Sequence, residues 1–362
     1  MLTLRLTGIG RYSLQIVKWL SRLQNAPETE VYGSIKSEPG VMASGRKSIF
    51  SENRLYRALF GVPKWAREKK LDLYHATNYG SAPLVSMSIP WVLTVHDLSP
   101  LTVPEFYGRY FSLRAGFLLR HNISRASHII AVSNLARKDT IEAFGMEPSR
   151  ITTIHLALDE GMWWPGDAEK DKEIRANYGL NRPYLLFVGA LNPRKNVLGL
   201  VRAYHQVLKE GKSEDHRLAL AGPRGWKSKE NFDYVKENKL TDRVIALGFV
   251  PGPDLPAIYR GATAFVYPSF YESFAYPVLE ALTAGVPVIT SNTSNIPEVA
   301  GPCSILVNPH SPQELTAAIV RVLESSSLRE TMSREGREWS KNFSWEKTAS
   351  QTLSVYKKVL SI

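Results

Sequence analysis

The chain has 362 residues, enough for two domains that each bury a core, and its 44% apolar and 22% charged content excludes extensive disorder. No uninterrupted apolar run reaches the roughly 20 residues that cross a bilayer, and no secretory leader is recognisable at the N-terminus. The single cysteine, Cys303, excludes an internal disulfide and a thiolate zinc cluster, so a reducing cytoplasm is the expected location. An excess of 45 Lys and Arg over 34 Asp and Glu, +11 in all, fits a phosphorylated substrate, an anionic lipid surface or nucleic acid. Most of these charges are interspersed, as in Arg137-Lys138-Asp139 and Lys227-Ser228-Lys229-Glu230, which is also the pattern of a solvated surface.

The first local signal is Gly8-Ile9-Gly10-Arg11, entering a helical stretch from Tyr12 to Leu23, where two spaced glycines let backbone come close to a ligand. Short β-branched or aromatic runs follow at Leu71–His75, Trp91–His96, Ala126–Val132 and Ile151–Ile154, each succeeded by a polar or helix-like stretch. That alternation predicts βα units with a parallel sheet. Residues 161–182 break the rhythm with Gly161, Pro165, Gly166 and the charged run Asp167–Glu173, and read as a linker. The alternation resumes with strands predicted at Tyr184–Val188, Arg217–Ala221, Val244–Leu247, Ala264–Tyr267 and Pro287–Thr290. Pro277 and Gly285 punctuate the start and end of a helix between the last two. An amphipathic helix is predicted after Phe343 through Trp345, Leu353, Val355, Tyr356 and Val359.

Open parallel sheets bind ligands at the carboxyl ends of their strands, so two such domains facing across a cleft suit two substrates. At those ends the richest segment is Tyr267 to Leu282, with Glu272 in the turn after a strand and Glu280 eight residues later, about one turn inside the helix. Backbone N–H groups at Ser273, Phe274 and Ala275 can receive a phosphate, while a neighbouring carboxylate holds hydroxyls. An N-terminal acid favoured by the helix dipole is the competing structural explanation. Gly189-Ala190-Leu191-Asn192-Pro193-Arg194-Lys195-Asn196 also follows a strand directly, and its adjacent cations can clamp a diphosphate and stabilise its departure. In the first half His75 and His96 end strands at the cleft, with Asn78 and Asp97 beside them: His96 is a candidate catalytic group, and His75, Asn78 and Asp97 are candidates for the side of the second substrate. A structural hydrogen-bonding role is the commoner fate of a lone histidine there. The loop Gly222 to Ser228 lacks Walker spacing, and there is no His-Glu-x-x-His pair, Gly-x-Ser-x-Gly turn or Asp-x-Asp pair, so metal-independent chemistry is expected.

Taken together these motifs resemble glycosyltransferase family 4, the retaining glycosyltransferases of the GT-B fold, over almost the whole chain. The resemblance rests most on Glu272 to Glu280, similar to the family's paired-glutamate motif, and on Gly189 to Asn196, similar to its diphosphate loop. Asn192-Pro193-Arg194-Lys195-Asn196 looks most like the branch of bacterial mannosyltransferases of polysaccharide assembly. The resemblance implies two Rossmann-like α/β domains: residues 1–160 with a last helix, 343–362, crossing back, and a donor domain at 183–342. It also implies transfer of a hexose, with mannose from GDP-mannose favoured, to a glycan or lipid-linked acceptor, with the nucleotide sugar as co-substrate and no other cofactor.

By the same resemblance Arg194 and Lys195 bind the donor phosphates, Glu280 the ribose and Glu272 the sugar hydroxyls. Phe274 and Ala275 offer backbone N–H groups, His96 lies near the anomeric carbon, and Gly10 with Arg11 borders the diphosphate. Three positions depart from the pattern: Ala190 stands where many members have Arg, Ala275 where glycine is usual, and only Met1–Thr7 precede the Gly8–Gly10 loop where a strand is normal. The rival readings are an epimerase or sugar phosphorylase of the same architecture, and a basic nucleic-acid-binding protein, for which no zinc-finger or RNA-recognition signature is present. A peripheral contact of the first domain with an anionic membrane, through Tyr107, Tyr110, Phe111 and Phe117, stands beside the alternative that these aromatics are core.

Overall fold

A computed structural model describes residues 8–24, 26–30, 57–158, 163–213 and 215–361. The chain divides into two compact units, Met1–Ala157 with Phe343–Ile362 and Leu158–Asn342.

The sheet of the first unit is wholly parallel, with β1 (Tyr74–Ala76), β2 (Trp91–Val95), β3 (His128–Ala131) and β4 (Ile151–Thr153) in sequential order. Every residue of β2 and β3 is buried, as expected of strands covered on both faces, which is why they read as unbroken apolar runs. Helices Arg109–Arg125 and Asn134–Phe144 connect β2 to β3 and β3 to β4. The second is bounded by Ser133, whose side chain accepts from Ala136 N, and by Gly145 at φ 63°. The last helix, Trp345–Leu360, packs against the first, Gly8–Leu20, with Trp345 and Tyr12 ring centroids 6.2 Å apart. Its Val355 joins Val92, Ile130 and Ile154 in one apolar cluster, and Thr348 and Lys358 donate to the carbonyls of His155 and Ser149 at 2.9 and 2.7 Å. Gly8 to Arg11, expected as a loop entering a helix, already form the helix's first turn. Met1–Thr7 lie outside the described residues.

In the second unit β5 (Tyr184–Val188), β6 (Arg217–Ala221), β7 (Val244–Gly248), β8 (Ala264–Tyr267), β9 (Val288–Ser291) and β10 (Ile305–Val307) form a parallel sheet in the order β10-β9-β8-β5-β6-β7. The chain winds outward from β5 through β6 to β7, then returns to the other side of β5 and winds outward again. The order therefore reverses between β5 and β8, and at such a switch point the following loops diverge and leave a crevice. Two findings differ from the expectation. The region read as linker contains the helix Ala168–Asn177, which the Asp167 side chain caps by accepting from Glu169 N and Lys170 N. Its Asp171, 6% exposed, receives both Nε and a terminal nitrogen of Arg260 at 2.7 Å, so the charged run is a docked helix of the second unit. The short edge strand β10 was not anticipated at all.

The approach of the β5 and β6 loops depends on two glycines. Gly189 and Gly222 have φ of 154° and 142°, Gly189 N donates to Ala221 O at 2.8 Å, and a Cβ on Gly222 would lie 2.0 Å from the Gly189 carbonyl oxygen. Gly222→Ala must therefore move backbone as well as strain φ, and is expected to cost about 2–3 kcal/mol in chemical denaturation. Gly179→Ala, at φ 69° with nothing within 4 Å of the added carbon, should cost only about 1 kcal/mol. Equal effects would show that the close approach does not matter.

Candidate functional site

The β5 loop is shaped by two asparagines. The Asn192 side chain accepts from Lys195 N at 3.3 Å and so caps the single 3-10 turn Pro193–Lys195. Asn196 follows in the left-handed region at φ 54°, held by its buried amide donating to Pro309 O at 2.8 Å, and the helix Val197–Lys209 starts from it. This bend turns Arg194 and Lys195 toward the β8 loop, which is stitched to it: Phe270 N and Ser269 Oγ donate to Arg194 O at 2.9 and 3.1 Å. The β9 loop supports the far side, where Ser294 Oγ accepts from Glu272 N at 2.8 Å and donates to Glu272 O, and Ser291 Oγ donates to Ser269 O.

On this frame the Glu272 carboxylate, 6% exposed, collects charge. Its Oε1 lies 2.5 Å from Lys195 Nζ and 3.2 Å from an Arg194 terminal nitrogen, and it accepts from Ser269 Oγ at 2.7 Å and Tyr267 Oη at 3.0 Å. Lys195 Nζ also donates to Tyr267 Oη, and Arg194 donates to the Tyr271 carbonyl. Burial alone would push the Glu272 carboxyl up. The charges of Lys195 and Arg194, with the bonds from Lys195 and Ser269, more than offset it and hold the group down at about 2. Burial and the facing carboxylate push the Tyr267 phenol well above its ordinary value, so it remains a donor.

Glu280, 7% exposed, lies in the helix Tyr276–Thr283 and accepts from Tyr259 Oη at 2.9 Å. Ser273, Phe274 and Ala275, all buried, lead into that helix, with Ala275 as its cap residue. Among the second-unit candidates, Arg194, Lys195 and Glu272 meet in one cluster. Gly189 opens the loop that carries the cations, and Glu280 accepts from a different tyrosine, Tyr259, while its charge helps to raise the Tyr267 phenol. Four participants were not anticipated: Tyr267 and Ser269, inside the segment read as a site, and Ser294 and Tyr259, which come from other βα units and are placed only by the strand order.

In the first unit Thr77, just after β1, gathers neighbours: His96 Nε2 donates to its carbonyl at 2.9 Å and Ser13 Oγ donates to its hydroxyl at 2.8 Å. The His96 ring meets Tyr12 edge-on at 4.8 Å, one residue from Arg11 and two from Gly10. Burial lowers the His96 pKa to about 4, opposed only in part by its bond to Thr77 and by Asp97, so the imidazole is neutral at pH 7 with the proton on Nε2 and Nδ1 an acceptor. His75 differs from the expectation. Its Nδ1 bonds Tyr356 Oη at 2.6 Å and its Nε2 bonds Thr94 Oγ1 at 2.8 Å, which commits both ring nitrogens to the interior and makes it a structural residue. Asn78 and Asp97 both accept from backbone two residues on, Gly80 N and Ser99 N, each at 2.7 Å, and so shape the turns after β1 and β2.

Comparison with known proteins identifies the family and the fold. A family profile described as "Glycosyltransferase Family 4" matches residues 7–161, and one described as "Glycosyl transferases group 1" matches residues 170–339. The chain is 32% identical to the O-antigen chain mannosyltransferase B of Escherichia coli, over 97% of this chain and 96% of that one. Among solved structures, a sucrose-phosphate synthase from Thermosynechococcus elongatus superposes with a TM-score of 0.74 at 20% identity, covering 98% of this chain and 94% of that one. Anabaena HepE, solved with UDP and glucose, gives a TM-score of 0.70 at 22% identity over 82% and 80% of the two chains.

The depressed pKa values make the protein acid-labile in two windows. His75 and His96, lowered by burial to about 3 and about 4, bind a proton more readily unfolded, so their contribution is complete above about pH 6.5 and is lost as pH falls from there to their folded values. At pH 5 each should remove about 2 kcal/mol of stability. The Glu272 contribution is lost only below about pH 4.5, as the pH falls toward 2. Calorimetry between pH 7 and pH 5 should show the first unit losing stability as His75 and His96 gain their protons on unfolding, and an unchanged transition of that unit over this range would contradict the assignment.

Proposed function

We propose, from the premise that this chain belongs to glycosyltransferase family 4, that it transfers mannose from GDP-mannose to a glycan or lipid-linked acceptor with retention of anomeric configuration. It is a hexosyltransferase. The observation that carries the finer reading is the convergence of Arg194 and Lys195 on Glu272 at the switch point between β5 and β8. Two cations held against one carboxylate leave a surplus positive charge, which suits a nucleoside diphosphate. When the diphosphate arrives, the cations turn to its oxygens, and the carboxylate they release can accept hydrogen bonds from sugar hydroxyls.

In this scheme the bond from the anomeric carbon to the departing phosphate lengthens first, and the ring gains positive charge. Arg194 and Lys195 stabilise the negative charge growing on the leaving group, and a phosphate oxygen of that group takes the proton of the acceptor hydroxyl attacking from the same face. Neutral His96, with Nδ1 as acceptor, orients a hydroxyl near the anomeric carbon, and Glu280 binds the ribose. The choice of mannose is supported by the name of the E. coli relative, and the acceptor class by the same name.

Arg194→Ala and Lys195→Ala are each expected to raise the barrier by about 2–4 kcal/mol, or roughly 30- to 1000-fold in kcat/KM. Release of nucleoside diphosphate should be followed with GDP-mannose and a panel of UDP-sugars, with and without an oligosaccharide acceptor. Acceptor-dependent release of GDP supports the reading; turnover of the double variant within threefold of the parent would sink the role of the cations. Efficient turnover without acceptor would favour the epimerase or phosphorylase reading.

A further inference from the structure

The helix Arg109–Arg125 is apolar on the wrong side. Ser112, Ala115, Leu119, Asn122 and Ile123 face the interior and are buried. The opposite face, at helical spacing, carries Tyr110, Leu113 and Phe117, which are 80%, 75% and 72% exposed, with Phe111 at its margin 50% exposed. Scattered single apolar residues at a surface need no explanation, but four large ones on one helix leave a contiguous patch that water disfavours.

The charge along the helix itself has one sign. Arg114 is exposed between Tyr110 and Phe117 on the same face, and Arg120 and Arg125 follow it along the helix. Arg120 lies over the Phe144 ring at 5.6 Å and Arg125 bonds His121 at 2.7 Å, so both are held in place near the patch. No Asp or Glu occurs between Glu105 and Asp139. The surplus extends to the whole unit: it holds 23 Lys and Arg against 12 Asp and Glu, whereas the second unit holds 22 of each. The entire net charge of +11 is thus carried by the unit with the exposed aromatic helix.

We infer that this helix face is a docking surface for an anionic lipid bilayer, with Tyr110, Leu113 and Phe117 entering the interface and the arginines meeting lipid phosphates. Apolar insertion and electrostatic attraction reinforce one another at such a surface, and neither alone holds a protein there durably. Nucleic acid is the weaker match, because its phosphates reward the arginines but leave Leu113 and Phe117 in water. No described helix is long and apolar enough to cross a membrane, so the contact is peripheral. The inference stands on surface chemistry alone and does not depend on which sugar is transferred.

The test is flotation of the full chain with phosphatidylcholine vesicles and with equimolar phosphatidylcholine and phosphatidylglycerol vesicles at low and high salt. Binding should require the anionic lipid and weaken with salt. The Leu113→Ser/Phe117→Ser variant should partition at least about tenfold less, and Arg114→Ser about fivefold less, with thermal midpoints unchanged because the side chains are exposed. Three results would overturn the proposal: no binding to anionic vesicles at low salt, equal binding to neutral ones, or full binding by the double variant. A self-association or RNA binding that the double variant abolishes, in a chain that ignores vesicles, would reassign the face to a second copy or to nucleic acid.

Discussion

A carboxylate stripped of water at the end of a parallel strand stays ionised only if cations and donors surround it, and in the second unit that requirement organises the site. Glu272 can be buried because Lys195 and Arg194 reach it from a different βα loop, and they can reach it because the order of strands reverses between β5 and β8. Around this contact the rest falls into place. Asn192 and Asn196 bend the first loop, Gly189 and Gly222 let the neighbouring loop pass close by, and Ser294 clamps the backbone of Glu272 from a third. Each supporting bond is short-range and neutral, and each fixes a piece of backbone on which the charged trio depends.

The two units use buried polar groups differently. In the second, the carboxylate and its cations are balanced against one another with charge to spare. In the first, neutral chains of hydrogen bonds run inward from Tyr12 through Thr94 and His75 to Tyr356. The cost of protonating His75 there keeps the interior uncharged, while His96 retains one nitrogen that is not committed to Thr77. His75 is bonded at both ring nitrogens and His96 at one, although one lies within and the other just beyond neighbouring strands of the same sheet.

That distinction was not legible in the sequence, where His75 and His96 look equivalent, because it depends on a tyrosine 281 positions away on the last helix. Much else was legible. Arg217–Ala221 and Ala264–Tyr267 read directly as strands, since a strand covered on both faces carries its apolar character in consecutive residues. The approach of Arg194 and Lys195 to Glu272 could be foreseen from two loops that each follow a strand. β10 escaped notice because Ile305–Val307 is three residues long at a sheet edge, with Leu306 partly exposed. The helix Ala168–Asn177 escaped because its composition is that of any solvated linker, and only the buried contact of Asp171 with Arg260 marks it as part of a fold. Ser294 and Tyr259 carry no motif of their own; topology alone brings them to Glu272 and Glu280.

The hydrogen bond from Tyr356 to His75 and the insertion of Val355 among Val92, Ile130 and Ile154 have a consequence for biosynthesis. The second unit is contiguous in sequence and can assemble as soon as residue 342 has left the ribosome. The first unit, although translated earliest, keeps a gap in its apolar interior until the final helix emerges. The half made first therefore cannot close its interior until residues translated after an entire intervening domain are available to it.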